Sequence, residues 1–206
     1  KGTWTYEFDE ENTRDDTFFL PDGSEKECKM MSHKNDHHYF ENEQFQAIDL
    51  PYGNAEFSMT IFLPKPGINI DSLIAQFSND SWNSWISSFS SQEVNLYLPK
   101  FKMEYEISLN NVLCALGMSI AFDPGRADFT KINSNGNLYI SKVKHKTFVK
   151  VNEEGTEAAA VTSVEIGLKS AGITMHINRP FVFAIRENHS GTILFVGKII
   201  EPEWEE

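Results

Sequence analysis

The segment VNEEGTEAAAVTSVEIGLKS, residues 151–170, constrains this chain most, because it fits two different conformations. Its alanines and glutamates favour a helix, but Gly155 begins the run and the β-branched Val161, Thr162 and Val164 favour a strand. In a strand, alternate side chains share a face. One face then carries no charge; it holds Thr156, Ala158, Ala160, Thr162 and Val164, while the other holds both Glu157 and Glu165. The segment is therefore predicted to be a loop that can become a strand with one buried face.

The run EEGTEAAA within this segment resembles the hinge of the reactive-centre loop of inhibitory serpins. Other segments resemble the same family in the same order along the chain. These are KGTWTYEF (Lys1–Phe8), FQAIDLPYG (Phe45–Gly53), FSMTIFLP (Phe57–Pro64), LYISKVKHKTFVKVNEEG (Leu138–Gly155), NRPFVFAIRE (Asn178–Glu187) and GTILFVGKIIEP (Gly191–Pro202). The resemblance spans the whole chain and implies the serpin fold, an α+β architecture of several sheets with a few short helices.

The first residues bear on domain organisation, because Lys1–Phe8 resembles the third strand of the main serpin sheet, sheet A. Residues 1–206 then correspond to the C-terminal part of a single serpin domain, with the reactive-centre loop at residues 152–171. The helical N-terminal half would have been left out or, after a nick, be present as a second chain. We favour a second chain, since large apolar faces of the strands would otherwise be exposed.

The amino-acid composition limits the classes of partner that the chain can have. The chain is 40% hydrophobic and 13% aromatic, as in globular proteins, and its net charge of −12 argues against nucleic acid as a partner. No apolar run is long enough to cross a membrane. Cys28 and Cys114 are expected to be free thiols, although the sequence leaves a disulfide open. The resemblance implies an extracellular or cell-surface location, which the composition does not decide.

The motifs of enzymes and metal sites are missing from the sequence. We find no G-x-S-x-G elbow, no Gly-rich phosphate loop and no H-E-x-x-H pattern, so we expect neither an enzyme nor a cofactor. His33, His37 and His38 lie close to Asp36, and these are residue types that bind zinc. Their spacing fits no closed site, and a polar strand entry explains them equally well, so no metal is expected.

Hydrophobic periodicity predicts more strands than helices. Helices are predicted over Ile70–Phe77, over Ser81–Ser91 and from Ser108 to Met118, with a helical turn around Leu138–Val143. Strands are predicted near Phe45–Leu50, Glu56–Leu63, Val94–Leu98, His145–Val151, Ile173–Ile177, Phe181–Ile185 and Ile193–Ile200. Glu10–Thr17 is predicted to be a loop.

The serpin resemblance also implies site residues. Counting from Gly155 and from the Asn178–Phe181 motif places the reactive bond at Lys169–Ser170 both times. Lys169 would enter a trypsin-like pocket, and Leu168 could serve a chymotrypsin-like or subtilisin-like enzyme. Trp4 and His145 would lie where the main sheet opens, although core packing explains each of them too. The hinge comprises Glu153, Glu154, Gly155, Thr156, Glu157, Ala158, Ala159, Ala160, Val161 and Thr162.

The implied function is inhibition of a serine protease by a covalent suicide substrate whose cut loop inserts into the main sheet. The alternative is a non-inhibitory serpin, such as a carrier, chaperone or storage protein. Hinges of that kind often carry bulky, charged or proline residues, and the uncharged face of this hinge carries none. A protease zymogen or hydrolase would need a nucleophile motif, which the sequence does not contain.

Overall fold

The computed structural model describes residues 2–156 and 172–204, within two compact units. The larger unit comprises Lys1–Lys102 and Lys150–Glu206, and the smaller unit comprises Met103–Val149. The strands of the described residues are β1 (Gly2–Thr3), β2 (Arg14–Phe19), β3 (Glu25–Glu41), β4 (Phe45–Tyr52), β5 (Phe57–Pro64), β6 (Ser90–Pro99), β7 (Phe101–Ser108), β8 (Lys144–Val151), β9 (Gly155–Thr156), β10 (Ile173–His176), β11 (Phe181–Glu187) and β12 (Ile193–Ile199).

An eight-stranded sheet forms the core of the larger unit. Its order is β10-β6-β3-β4-β5-β11-β12, and β2 pairs with β3 beside this path. All these pairs are antiparallel except β10 with β6, which is parallel. The predicted strands are therefore present, and the sheet-dominated α+β fold class is confirmed.

The central strand β5 is buried on both faces between β4 and β11, as its apolar pattern predicts. The polar side chain of Thr60 is tolerated in β5 because hydrogen-bond partners surround it. The hydroxyl of Thr60 donates to Asp49 over 2.6 Å, and Arg186 approaches the same carboxylate at 3.1 Å. Buried polar groups paired in this way avoid the desolvation penalty of an unmade bond.

Two short helices, α1 (Ile70–Ile74) and α2 (Asn79–Ser87), cover one part of this sheet with aromatic contacts. Asn69 caps α1, accepting from the backbone N–H of Asp71. The second helix is displaced from its predicted range of 81–91. It begins earlier because Ser78 and Ser81 form a capping box, and it ends earlier because Ser90 already belongs to β6.

Two sequence predictions were wrong because long-range pairing decided the local structure. Glu10–Thr17 is not one loop: Glu10–Asn12 forms a 3₁₀ turn, and β2 begins at Arg14, where pairing with β3 orders a polar sequence. Leu138–Val143 contains no helical turn. Instead, Ile140 donates to the carbonyl of Ala121, and the carbonyl of Val143 accepts from Leu109.

The smaller unit contains most of β7 and β8, which pair with each other, and a broken helix. The helix predicted from Ser108 begins at α3 (Asn110–Leu113) and continues as a π turn at Cys114–Met118 and a 3₁₀ turn at Ser119–Phe122. Gly117 interrupts it with a φ of 101°. His145 is exposed on β8, so the alternative of a core histidine is wrong for this structure. Across the described residues, no helix has the length and hydropathy of a membrane span.

Candidate functional site

The described part of the hinge is a tight backbone turn. Asn152 N–H donates to the Gly155 carbonyl over 3.1 Å, and Gly155 N–H donates back over 3.2 Å, with Glu153 and Glu154 at the tip. Beyond this turn β9 pairs antiparallel with β1, so that Gly155 lies opposite Thr3 and Thr156 opposite Gly2. The chain therefore enters the predicted loop already paired as a strand.

Gly155 makes this pairing possible for two reasons. Its φ is +140°, a conformation that residues with a side chain rarely adopt. A Cβ at this position would lie 2.3 Å from the Gly2 carbonyl oxygen and 2.8 Å from Thr3 Cα. Because both obstacles are backbone atoms, they have little freedom to move away. Only glycine lets the hinge lie this close to β1.

Trp4 links the hinge to the large sheet. Its backbone N–H donates to the Glu154 carbonyl and its indole Nε1–H to the Asn152 carbonyl, each over 2.9 Å. Its buried ring stacks on Tyr52 of β4 with centroids 4.6 Å apart. Trp4 thus packs in the core and also satisfies two carbonyl groups of the turn, so the two interpretations of this residue are compatible.

Glu153 is a buried carboxylate with two side-chain partners. Thr13 donates to Oε1 over 2.7 Å, and Lys100 Nζ lies 2.9 Å from Oε2. Burial alone would raise the pKa of Glu153, but the bonds from Thr13 and Lys100 outweigh burial and hold the pKa below its ordinary value. The residue is only 3% exposed, so this charge depends on its partners.

Lys100 is itself held in place by aromatic contact. Its Nζ lies 4.3 Å from the centroid of the Trp204 ring, and Lys150 Nζ approaches the same ring at 5.0 Å. The sequence prediction missed Thr13, Lys100 and Trp204, because each is far from the hinge along the chain and belongs to no motif. The position of Glu153 two residues before Gly155 was the only local signal, and it does not identify a distant cation.

The other predicted site residues stay predictions. Glu157, Ala158, Ala159, Ala160, Val161, Thr162, Leu168, Lys169 and Ser170 lie outside the described residues. His145 belongs to the smaller unit, so the prediction that it shares a sheet-opening region with Trp4 stays a prediction.

The histidines and cysteines form no metal site among the described residues, where no group of three or more possible ligands comes together. His33 and His37 instead approach each other, and His38 is exposed. Cys28 and Cys114 are free thiols. Burial, with carboxylates nearby, raises the pKa of Cys28 to about 11, which leaves it an unreactive thiol.

Comparison with known proteins gives one consistent result. The model of the family described as serpin (serine protease inhibitor) matches residues 1–202. Serpin B10 of Otolemur garnettii is 38% identical over 98% of this chain and 52% of its own length. A serine protease inhibitor of Cyanea capillata is 35% identical over 98% of this chain and 55% of its own length. The native-state crystal structure of the thermophilic serpin tengpin matches with a TM-score of 0.80 and 35% identity, covering 97% of this chain and 52% of that one. The chain thus spans about half the length of these relatives.

We predict that Gly155→Ala breaks the pairing of β9 with β1. The added methyl group would collide with backbone atoms of Gly2 and Thr3, so hydrogen exchange at Asn152–Thr156 should accelerate at least about tenfold in the natural full-length protein. Gly23→Ala is the matched control. Gly23 also has a positive φ, of 87°, but has nothing within 4 Å of an added Cβ. Equal protection of the hinge in both variants would contradict the close-approach explanation.

We also predict that Glu153→Gln destabilises the protein by about 3 kcal/mol at pH 7, because it leaves the Lys100 ammonium without its buried partner. Glu104→Gln, which breaks the exposed pair with Lys146, should cost no more than about 1 kcal/mol. The lowered pKa of Glu153 gives a second signature. Its stabilisation is present above pH 4.5 and is lost as the pH falls further, so Glu153→Gln should reduce the acid dependence of urea unfolding. Equal losses in the two variants would refute the buried pair.

Proposed function

Because this chain belongs to the serpin family, we propose that its protein inhibits a serine protease as a suicide substrate, by inserting the reactive-centre loop into the main sheet. The pairing of β9 with β1 supports this proposal most directly. Gly155 and Thr156 form the first two residues of a strand antiparallel to β1, at the position where the loop begins. Insertion would then be the extension of an existing ladder, which needs no new nucleation.

The register of this ladder indicates what the rest of the inserted strand would contact. Each step forward along the loop is a step back along β1, so Glu157 would pair with Lys1 and later residues with a segment before Lys1. We propose that the N-terminal segment of the same serpin, as a second chain or an upstream stretch, supplies this partner.

A second observation supports such a partner. Apolar side chains on the edge strand β12 are exposed, with Val196 at 67%. An apolar surface of this kind is typical of a face that another segment covers. The exposed residues are Ile193, Leu194, Phe195 and Val196.

The composition of the hinge fits insertion better than a carrier or storage role. Thr156, Ala158, Ala160 and Thr162 share one face and carry neither charge nor bulk. Burying this face removes no charge from water, so it avoids the largest penalty of strand insertion.

In the proposed reaction the protease serine attacks the Lys169 carbonyl, the bond to Ser170 breaks, and the amine of Ser170 leaves with a proton. An ester between Lys169 and the protease remains, and insertion would distort the protease before water cleaves this ester. Lys169 directs the loop to trypsin-like proteases, and Leu168 offers a second bond to chymotrypsin-like or subtilisin-like ones. The extracellular or cell-surface location stays a prediction.

We predict that trypsin forms a complex with the protein that survives SDS, and that the released C-terminal peptide begins at Ser170. Lys169→Ala should abolish both results with trypsin, while a complex formed through Leu168 with a chymotrypsin-like enzyme should remain. Gel electrophoresis and mass spectrometry of the peptide measure these outcomes. Cleavage without a complex would indicate the non-inhibitory alternative, and turnover of a protease substrate by the protein alone would indicate a hydrolase.

We further predict that Ala158→Arg turns the inhibitor into a substrate, whereas Glu157→Arg does little. The first change puts a charge on the face to be buried, and the second replaces one charge by another on the solvent face. Insertion competes with hydrolysis of the ester, so a barrier raised by about 1.4 kcal/mol changes their ratio about tenfold. The readout is the number of inhibitor molecules consumed per protease inactivated. An unchanged number for Ala158→Arg, or an equal defect for Glu157→Arg, would show that the face of Ala158 is not the one buried.

A further inference from the structure

Two histidines of β3, His33 and His37, lie against the Trp4–Phe8 segment. The Nε2 atoms of His33 and His37 are 2.8 Å apart. The ring of His33 stacks on Phe8 with centroids 4.0 Å apart and planes 3° from parallel, and the edge of Tyr6 meets His37 at 5.9 Å. His37 is only 3% exposed. Each imidazole is thus largely enclosed by the segment that it contacts.

The contacts fix the protonation of both rings. His33 Nδ1 lies 3.4 Å from the Glu7 carbonyl, which can only accept, so His33 carries its proton on Nδ1 and accepts at Nε2. His37 must then donate from Nε2, which leaves its Nδ1 as a bare acceptor. That buried atom has no hydrogen-bond partner within the part of the chain that the structure describes. Both rings are therefore neutral in this arrangement.

A proton on either ring would disrupt this arrangement. On His33 it would go to Nε2, where it either faces the N–H of His37 across 2.8 Å or moves the His37 proton to Nδ1, which has no acceptor among the described residues. On His37 it would go to Nδ1, where a buried cation would find no acceptor among the described residues. Either event favours a state in which the imidazoles reach water.

The Trp4–Phe8 segment carries this effect to the hinge, because the same residues contact both. Phe8 stacks on His33 through its ring and donates its backbone N–H to the Glu153 carbonyl over 2.9 Å. Trp4, at the other end, holds the carbonyls of Asn152 and Glu154. The segment cannot leave the histidines without loosening the hinge turn.

We propose that His33 and His37 form a pH-sensitive switch that keeps the Trp4–Phe8 segment bound to the hinge at neutral pH and releases the hinge under mildly acidic conditions. This proposal rests on the proposed function in one respect, which is that the hinge is used for loop insertion. Acid release would loosen the hinge turn before any protease binds.

Within the described part of the chain, no carboxylate is placed to stabilise the charged rings. On the Trp4–Phe8 segment, Glu7 meets His33 through its backbone carbonyl. On the neighbouring strand β6, Glu93 forms an ion pair with Lys34 at 2.7 Å. On β4, Asp49 is bound by Thr60 and Arg186. The remaining titratable neighbours among the described residues are Tyr6 on the segment and Asp36 and His38 on β3, and all three have exposed side chains.

Burial lowers the pKa of His33 to about 4, and burial together with the neighbouring His33 and His38 lowers the pKa of His37 to about 3. We call the state with the Trp4–Phe8 segment bound to the hinge closed, and the released state open. A histidine whose pKa is lowered in the closed state stabilises that state fully above its ordinary pKa of 6.5. This stabilisation is lost as the pH falls toward the lowered pKa. For a histidine with a pKa of about 4 in the closed state and 6.5 in the open state, the ratio of closed to open protein is about thirtyfold lower at pH 5 than at high pH. The response therefore lies between pH 6.5 and about 4.

Hydrogen exchange with mass spectrometry tests the switch in the natural full-length protein. Peptides covering Trp4–Phe8 and Asn152–Thr156 are compared at pH 7.5 and 5.0 after correction for the intrinsic exchange rate. Protection of both peptides should fall at least about tenfold at pH 5.0 in the wild type. The double variant His33→Gln, His37→Gln should lose this pH dependence, because glutamine can hydrogen-bond but does not titrate here.

His38→Gln is the matched control. His38 is the exposed neighbour on the same strand and the smallest of the three named influences on the pKa of His37, so the pH response should remain in this variant. A pH-independent wild type, or a double variant that keeps the response, overturns the switch. If the double variant does not fold, exchange at the imidazole C2 positions decides: wild-type pKa values near 6.5 overturn the proposal, and values below about 5 support it. No protease enters these measurements, so a protein that shows the response but forms no complex with trypsin retains the switch and loses the proposed function.

Discussion

The close backbone approach of Gly155 to Gly2 and Thr3 is the constraint on which the site depends. With no room for a side chain, the chain after β8 turns back on itself and starts a strand beside β1. This short ladder gives the loop a direction and a register before any cleavage. Extension of a ladder avoids the entropy cost of starting one, and this is the physical support for the proposed insertion of the loop.

A small buried network stabilises this turn. Glu153 has Thr13 and Lys100 as partners, and Lys100 in turn lies on the face of Trp204. Each member is paired, so the network specifies one arrangement of the turn and gives it up only when several contacts break together. Such all-or-none behaviour would suit the proposed role of the hinge, which has to stay in place until the loop inserts.

The Trp4–Phe8 segment is the shared element between this network and the histidines of β3. Its backbone binds the hinge, while its aromatic rings pack on Tyr52 and His33. Because its backbone is bonded to the hinge and its rings contact the histidines, the proposed pH response and the proposed loop insertion would act on the same residues. Among the described side chains of this region, His37 Nδ1 is the single buried atom without a hydrogen-bond partner. A proton on this atom would have no acceptor.

The sequence alone determined the family, the α+β class, most strands and the importance of Gly155 and Trp4, because alternation, glycine and motif order are local properties of the chain. It did not reveal Lys100 or Thr13 as partners of Glu153, or the contact between His33 and His37. It also misassigned Glu10–Thr17 and Leu138–Val143, where hydrogen bonds to distant residues override local preference. Only the tertiary structure decides such contacts, because a charge, a hydroxyl or an imidazole acquires its role from the groups that folding places around it.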